Sequence, residues 1–112
     1  MVAPIPADWR HAVCRTLSSH SLTSILIRQR ALRDWQSLFP GAFHYEMVDA
    51  FIKALRNPKQ TGRLVVTMDE PGIVYEFIFE HKSRAVYGKV NSQPNGDVII
   101  YSAHRPLKGE SL

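Results

Sequence analysis

Glu76, Lys89 and His104 are the residues of this 112-residue chain whose types could together move protons and hold an anion. A carboxylate accepts a proton, an ammonium fixes a negatively charged oxygen, and an imidazole gives or takes a proton near neutral pH. Tyr87 adds a phenolic donor. His104 is followed by Arg105, and an imidazole beside a guanidinium suits phosphate chemistry because the guanidinium grips phosphate in a forked contact. Each feature also has a plainer reading. Opposite charges on adjacent strands commonly form solvated ion pairs worth about 0.2–1 kcal/mol. Polar residues such as His104-Arg105 before Pro106 also mark an exposed strand end. His81, His44, His11 and His20 fall in a turn or on or beside helices, outside this set.

Whether these residues meet depends on the stretch from Val74 to Pro106. Val-Tyr-Glu-Phe-Ile-Phe-Glu, Ala-Val-Tyr-Gly-Lys-Val and Asp-Val-Ile-Ile-Tyr-Ser-Ala-His-Arg-Pro are rich in β-branched and aromatic residues and separated by short polar connections. Before them Leu64, Val66 and Met68 alternate with Val65 and Thr67. Turns are expected at Pro71-Gly72, at Lys82-Ser83 and at Gln93-Pro94-Asn95-Gly96. Short turns between four short strands predict an antiparallel meander over residues 63–105.

The turns also predict a register. With Glu70 opposite Ile73, His81 opposite Arg84 and Gln93 opposite Gly96, one face carries Tyr75, Phe77, Phe79, Val86, Gly88 and Val90. The helices are expected on that apolar face, with Gly88 leaving room for rings and for an incoming helix side chain. The other face places Thr67 beside Glu76, Glu76 beside Lys89, Tyr87 beside Ser102 and Ala85 beside His104. A one-residue slip in the last hairpin would put Tyr101 and Arg105 there instead of Ser102 and His104.

The N-terminal half supplies the cover. Residues 1–8 read as an irregular lead-in, since Pro4 and Pro6 oppose helix. Asp8 is expected to cap a helix from Trp9 to about Leu17. A second helix is expected from Ser21 or Thr23, with Leu22, Ile25, Leu26, Leu32 and Trp35 as its apolar stripe. After Phe39-Pro40-Gly41, the series Phe43, Met47, Ala50, Phe51, Ala54 and Leu55 is the strongest helical signal, ended by Asn57-Pro58. The expected architecture is a single α+β domain: helices over 9–57 packed on one face of a four-stranded antiparallel sheet over 63–105, with a tail over 106–112.

Fourteen Lys and Arg against ten Asp and Glu give +4 with neutral histidines and a pI near 9.5, a balance that suits a polyanionic partner or an acidic protein. Arg10, Arg15, Arg28, Arg30 and Arg33 make the N-terminal half cationic. Most read as solvated helix faces, and Arg28, Arg30 and Arg33 are the best phosphate-tracking set. The single Cys14 excludes an internal disulfide, fits a reducing cytoplasm and reads as a small apolar helix residue. No apolar run approaches the roughly 20 residues of a membrane span, and the first residues do not read as a secretory signal. No His, Cys, Asp or Glu cluster has metal-ligand spacing, and no Gly-rich phosphate loop or nucleophile elbow is present, so neither metal nor cofactor is expected.

Helices followed by a basic meander that contains Tyr87-Gly88-Lys89-Val90 and ends in Val98-Ile99-Ile100-Tyr101-Ser102-Ala103-His104-Arg105-Pro106 resemble the RelE-type toxin endoribonucleases. That group includes barnase-like and colicin-like nuclease domains, and the two strand patterns are similar to its MqsR-like branch. The resemblance covers roughly Phe43 to Lys108. It implies a small bacterial toxin that cleaves RNA without metal and is held inactive by an antitoxin or immunity protein.

By that resemblance Glu76, Lys89 and His104 are the expected catalytic residues, with base and acid open between Glu76 and His104. Tyr87, Ser102, Arg105, Arg84 and Lys108 are the expected RNA contacts. The complete set matches no one branch. Two other readings remain at this level: a basic module that binds RNA or an acidic partner without cutting, as a phage or regulatory protein would, and a sheet face that mediates dimerisation.

Overall fold

In the computed structural model, which describes residues 1–109 and Leu112, Pro6 rather than Asp8 occupies the N-cap of the first helix. This helix, α1 (Ala7–Ser18), keeps Asp8 in its first turn, where a carboxylate favours the positive end of the helix dipole. Trp9, Val13 and Leu17 are buried along one side. So is Arg10, which donates from Nε to the Ile5 carbonyl (3.1 Å) and from Nη1 to the Leu55 carbonyl (3.0 Å). It is therefore a brace between chain segments and not one of the solvated arginines.

The lead-in is ordered too. Strand β1 (Ala3–Pro4) pairs antiparallel with β3 (Thr61–Val65), Ala3 opposite Gly62. Pro4 is tolerated because β1 is an edge, where a missing N–H breaks no interior ladder. The expected second helix is divided. Ile25–Ile27 forms strand β2, parallel to β6 (Val98–His104), and only Gln29–Leu38 is helical, as α2. Three aliphatic residues can belong to a helical stripe or a short strand, and the exposed edge of β6 decides in favour of the strand. The third helix, α3 (His44–Arg56), follows its predicted stripe and buries Met47, Val48, Ala50, Phe51, Ile52 and Leu55.

The protein is thus α+β, with three helices and a six-stranded, mostly antiparallel sheet ordered β1-β3-β4-β5-β6-β2. Strand β4 (Ile73–His81) pairs with β5 (Arg84–Ser92) in the predicted register, Glu76 opposite Lys89 and Phe77 opposite Gly88. The two-residue turn between them holds Lys82 and Ser83 at φ +50° and +65°, the left-handed geometry a tight hairpin requires. Phe51 of α3 stands edge-on to Phe77 (5.8 Å) and Phe79 (5.1 Å). Its ring occupies the space over Gly88, where a Cβ would come within 2.9 Å of it. Trp9 of α1 makes a similar edge contact with Tyr75, 5.0 Å between centroids.

Two registers differ from expectation. Strand β3 begins earlier and pairs four residues away, Arg63 opposite Glu76 and Leu64 opposite Tyr75. Thr67 is therefore not beside Glu76. Residues 66–72 form a loop rather than a tight Pro-Gly turn, because Asp69 and Glu70 join that loop instead of closing a hairpin.

In the last hairpin Ser92 sits opposite Val98, one residue off the predicted pairing, and a bulge lies opposite Lys89 and Val90. Val90 pairs with Ile100 and Lys89 with Ser102, so Tyr101 is the extra residue. Slip and bulge add. Ser102 and His104 return to the face of Glu76, but His104 lies opposite Tyr87, not Ala85, and Ser102 opposite Lys89.

Candidate functional site

Strand alternation puts Glu76, Lys89, Ser102, Tyr87 and His104 on the sheet face opposite Phe77, Gly88 and Ala103. Three adjacent strands each contribute, so the residues meet although up to 28 positions separate them in the chain. Arg63 joins them from β3, donating from Nε to Glu76 Oε2 at 2.8 Å. The Tyr87 hydroxyl donates to Glu76 Oε1 at 2.5 Å. Both carboxylate oxygens are therefore engaged, and the side chain is only 13% exposed. Burial alone would raise the Glu76 carboxyl. The hydrogen bonds from Arg63 and Tyr87 and the charges of Arg63 and Lys89 outweigh it, and the group titrates below its ordinary value. A carboxylate held in this way is a fixed negative charge and a positioner of Tyr87, and it is poorly placed to pick up a proton.

His104 fits the proton-transfer part better. Its ring stacks on Tyr87 with centroids 4.8 Å apart and planes at 17°. Nδ1 lies 2.7 Å from the Arg105 carbonyl oxygen. A carbonyl can only accept, so Nδ1 carries the hydrogen and Nε2 is the nitrogen available for proton transfer. Tyr87, itself 7% exposed, is thus tied at its hydroxyl by Glu76 and carries the imidazole on its face. Lys89 is half-buried between Glu76 and Ser102 and forms no ion pair within 4 Å among the described residues. Its ammonium is the cation of this patch best suited to an incoming anion.

The remaining expected contacts divide. Ser102 is half-buried beside Lys89, and Arg105 projects just past β6 into a groove that also takes in His104 and Arg30. Arg84 is elsewhere: it shares the face of Val86 and lines a hollow with Pro40, Gly41, Glu46 and Lys82. The reason is the parity of β5, which sends even-numbered residues to the helix side. Lys108 is exposed in the tail, four residues beyond His104. Arg63 is not among the predicted site residues, because a tight Pro71-Gly72 turn would place Thr67 and not Arg63 beside Glu76.

A second carboxylate network lies at the other end of the same face. Arg28 donates from Nη2 to both oxygens of Glu70 (2.7 and 2.8 Å), and its guanidinium sits 5.7 Å from the centre of the Tyr101 ring. The Arg28 guanidinium, and after it the Tyr101 hydroxyl, hold the Glu70 carboxyl below its ordinary value. Asn91, wholly buried, donates from Nδ2 to the Tyr101 hydroxyl and to the Pro71 carbonyl, each at 3.0 Å. These contacts fasten the 66–72 loop over Val74, Asn91 and Ile99, which are buried although they belong to the face of Glu76. Arg28 is thus paired with Glu70, which occupies one edge of its guanidinium.

Cys14 has its thiol pushed up by burial against the pull of Arg56 and Arg10, which makes it a poor nucleophile. Among the described residues no group of three or more His, Cys, Asp or Glu is placed to hold a metal ion, and no helix is long and apolar enough to cross a membrane. Comparison with known protein families, curated proteins and solved structures finds no match to this chain.

Proposed function

We propose that this protein is a metal-independent endoribonuclease of the RelE and barnase-like kind, a small bacterial toxin active in the cytoplasm and neutralised by an antitoxin or immunity protein. In this reading β3 to β6 are the four-stranded core of that fold and the helices cover its apolar face. The observation that carries it is the cross-strand placement of Lys89, Ser102, Tyr87 and His104 beside a doubly bonded Glu76.

In the cleavage step His104 Nε2 takes the proton of a ribose 2′-hydroxyl. The 2′-oxygen forms a bond to phosphorus as the bond from phosphorus to the 5′-oxygen breaks. The Lys89 ammonium stabilises the extra charge on the phosphate and gives its proton to the departing 5′-oxygen. The products are a 2′,3′-cyclic phosphate and a 5′-hydroxyl, and solvent exchange restores both side chains. Glu76 keeps Tyr87 in place under the imidazole, with Ser102 and Arg105 against the RNA backbone.

Purified protein incubated with labelled RNA in excess chelator is expected to cut it, leaving cyclic phosphate ends, and Lys89→Ala to slow the cut by ~100- to 10,000-fold. RNA bound but left intact would replace this reading with that of a non-catalytic binding module, a reading favoured by the tied state of Glu76, which leaves the patch one proton-transfer group fewer.

A further inference from the structure

The groove next to His104 has walls that the cleavage step does not use. It encloses about 390 Å³ and is lined by Arg30, Asp34 and Leu38 of α2 together with His104, Arg105 and Leu107. That volume falls in the range of sites that hold a small ligand, ~300–1,000 Å³. Its charged lining is the two guanidinium groups of Arg30 and Arg105 against the single carboxylate of Asp34, with Ser37 beside them. The Arg30 side chain is 82% exposed and 3.9 Å from Asp34, too long for a hydrogen-bonded pair. Of the arginines that the sequence offered for phosphate, Arg28 is fastened to Glu70, and Arg33 does not line the groove. The start of α2 thus delivers one guanidinium, Arg30, to the side of the imidazole, where Arg105 meets it from the end of β6.

We infer that this groove is a second-phosphate subsite: Arg30 and Arg105 hold the phosphate next to the one broken at His104, and the nucleoside between the two phosphates lies against Leu38 and Leu107. The inference rests on the reading of the His104 face as an RNA site and extends that site from the sheet onto α2.

Binding of a 2′-O-methyl RNA hexamer, which cannot be cut, tests it by fluorescence anisotropy over a range of salt concentrations. Each phosphate contact to a single strand contributes about 0.7 to the slope of log Kd against log salt. Arg30→Ala and Arg105→Ala are each expected to lower the slope by ~0.7 and the double variant by ~1.4. Lys59→Ala, an exposed cation outside the groove, should leave it unchanged. On a dinucleotide with a single phosphate, wild type and Arg30→Ala should bind alike.

An unchanged slope in Arg30→Ala, or an equal loss on the dinucleotide, overturns the subsite. Slopes that fall as expected in a protein that cuts no RNA sustain the subsite and remove the nuclease reading, so the two fail separately.

Discussion

The two ends of one sheet face carry the same three residue types, arginine, glutamate and tyrosine, in two different settings. At one end Arg63, Glu76 and Tyr87 come from three adjacent strands, and the tyrosine ring supports His104. At the other, Arg28, Glu70 and Tyr101 span a helix N-cap, a loop and a bulge, and the tyrosine hydroxyl meets the buried Asn91. The first carboxylate is 13% exposed and the second 38%. The first set orders side chains that stay accessible. The second closes the 66–72 loop over the sheet and removes Asn91 and Ile99 from solvent. An Arg–Glu–Tyr constellation therefore has no function of its own. What the tyrosine touches next decides it.

His104→Ala and Lys89→Ala should each reduce RNA cleavage by ~100- to 10,000-fold, the range for a proton-transfer group, with an unchanged circular dichroism spectrum and melting temperature. Wild-type activity in both variants would sink the assignment.

At the other end the large effect is on stability. Gly72 has φ +120°, and a Cβ there would lie 2.0 Å from Asn91 Oδ1 and 2.8 Å from the Ser92 carbonyl oxygen. Gly72→Ala should therefore cost more than about 1 kcal/mol. The melting temperature should fall by ~4–8 °C or more, a shift that His104→Ala does not produce.

A third test sharpens the contrast between the carboxylates. The native Glu76 carboxyl titrates below its unfolded value, so the stability it contributes is present above the unfolded pKa, about 4.3, and is lost as pH falls through the lower folded value. Glu76→Gln should flatten the loss of stability on acidification below about pH 5, measured by urea unfolding at successive pH values.

The smallest effect belongs to Glu70→Gln. Its carboxyl is also lowered, first by the Arg28 hydrogen bond and then by that of Tyr101, but the pair is more exposed and so more screened by salt. It should change acid unfolding less than Glu76→Gln does, and the gap should widen on adding salt.

Much of this was legible from short-range pattern. The stripe of α3, the Lys82-Ser83 turn and the pairing of Glu76 with Lys89 follow from periodicity and local turn chemistry, which act within a few residues and leave a mark in the sequence. The space over Gly88 for a helix side chain was legible for the same reason, a missing Cβ in a row of large residues. Arg63 was not legible, because strand pairing across a loop depends on how that loop is fastened. The fastening here uses Arg28 and Asn91, distant in the chain from the 66–72 loop they hold.

The residue types of the patch, the alternation that separates them from the aromatic core and the basic charge that suits a polyanion are all set by the order of the amino acids. Long-range packing settles that Ile25–Ile27 joins β6 as a strand, that a bulge at Tyr101 offsets the slipped hairpin, and that His104 consequently rests on Tyr87. The physical reason is that side-chain direction in a strand reverses with every residue. A single extra residue, whose place is set by long-range pairing, decides which side chains share a face.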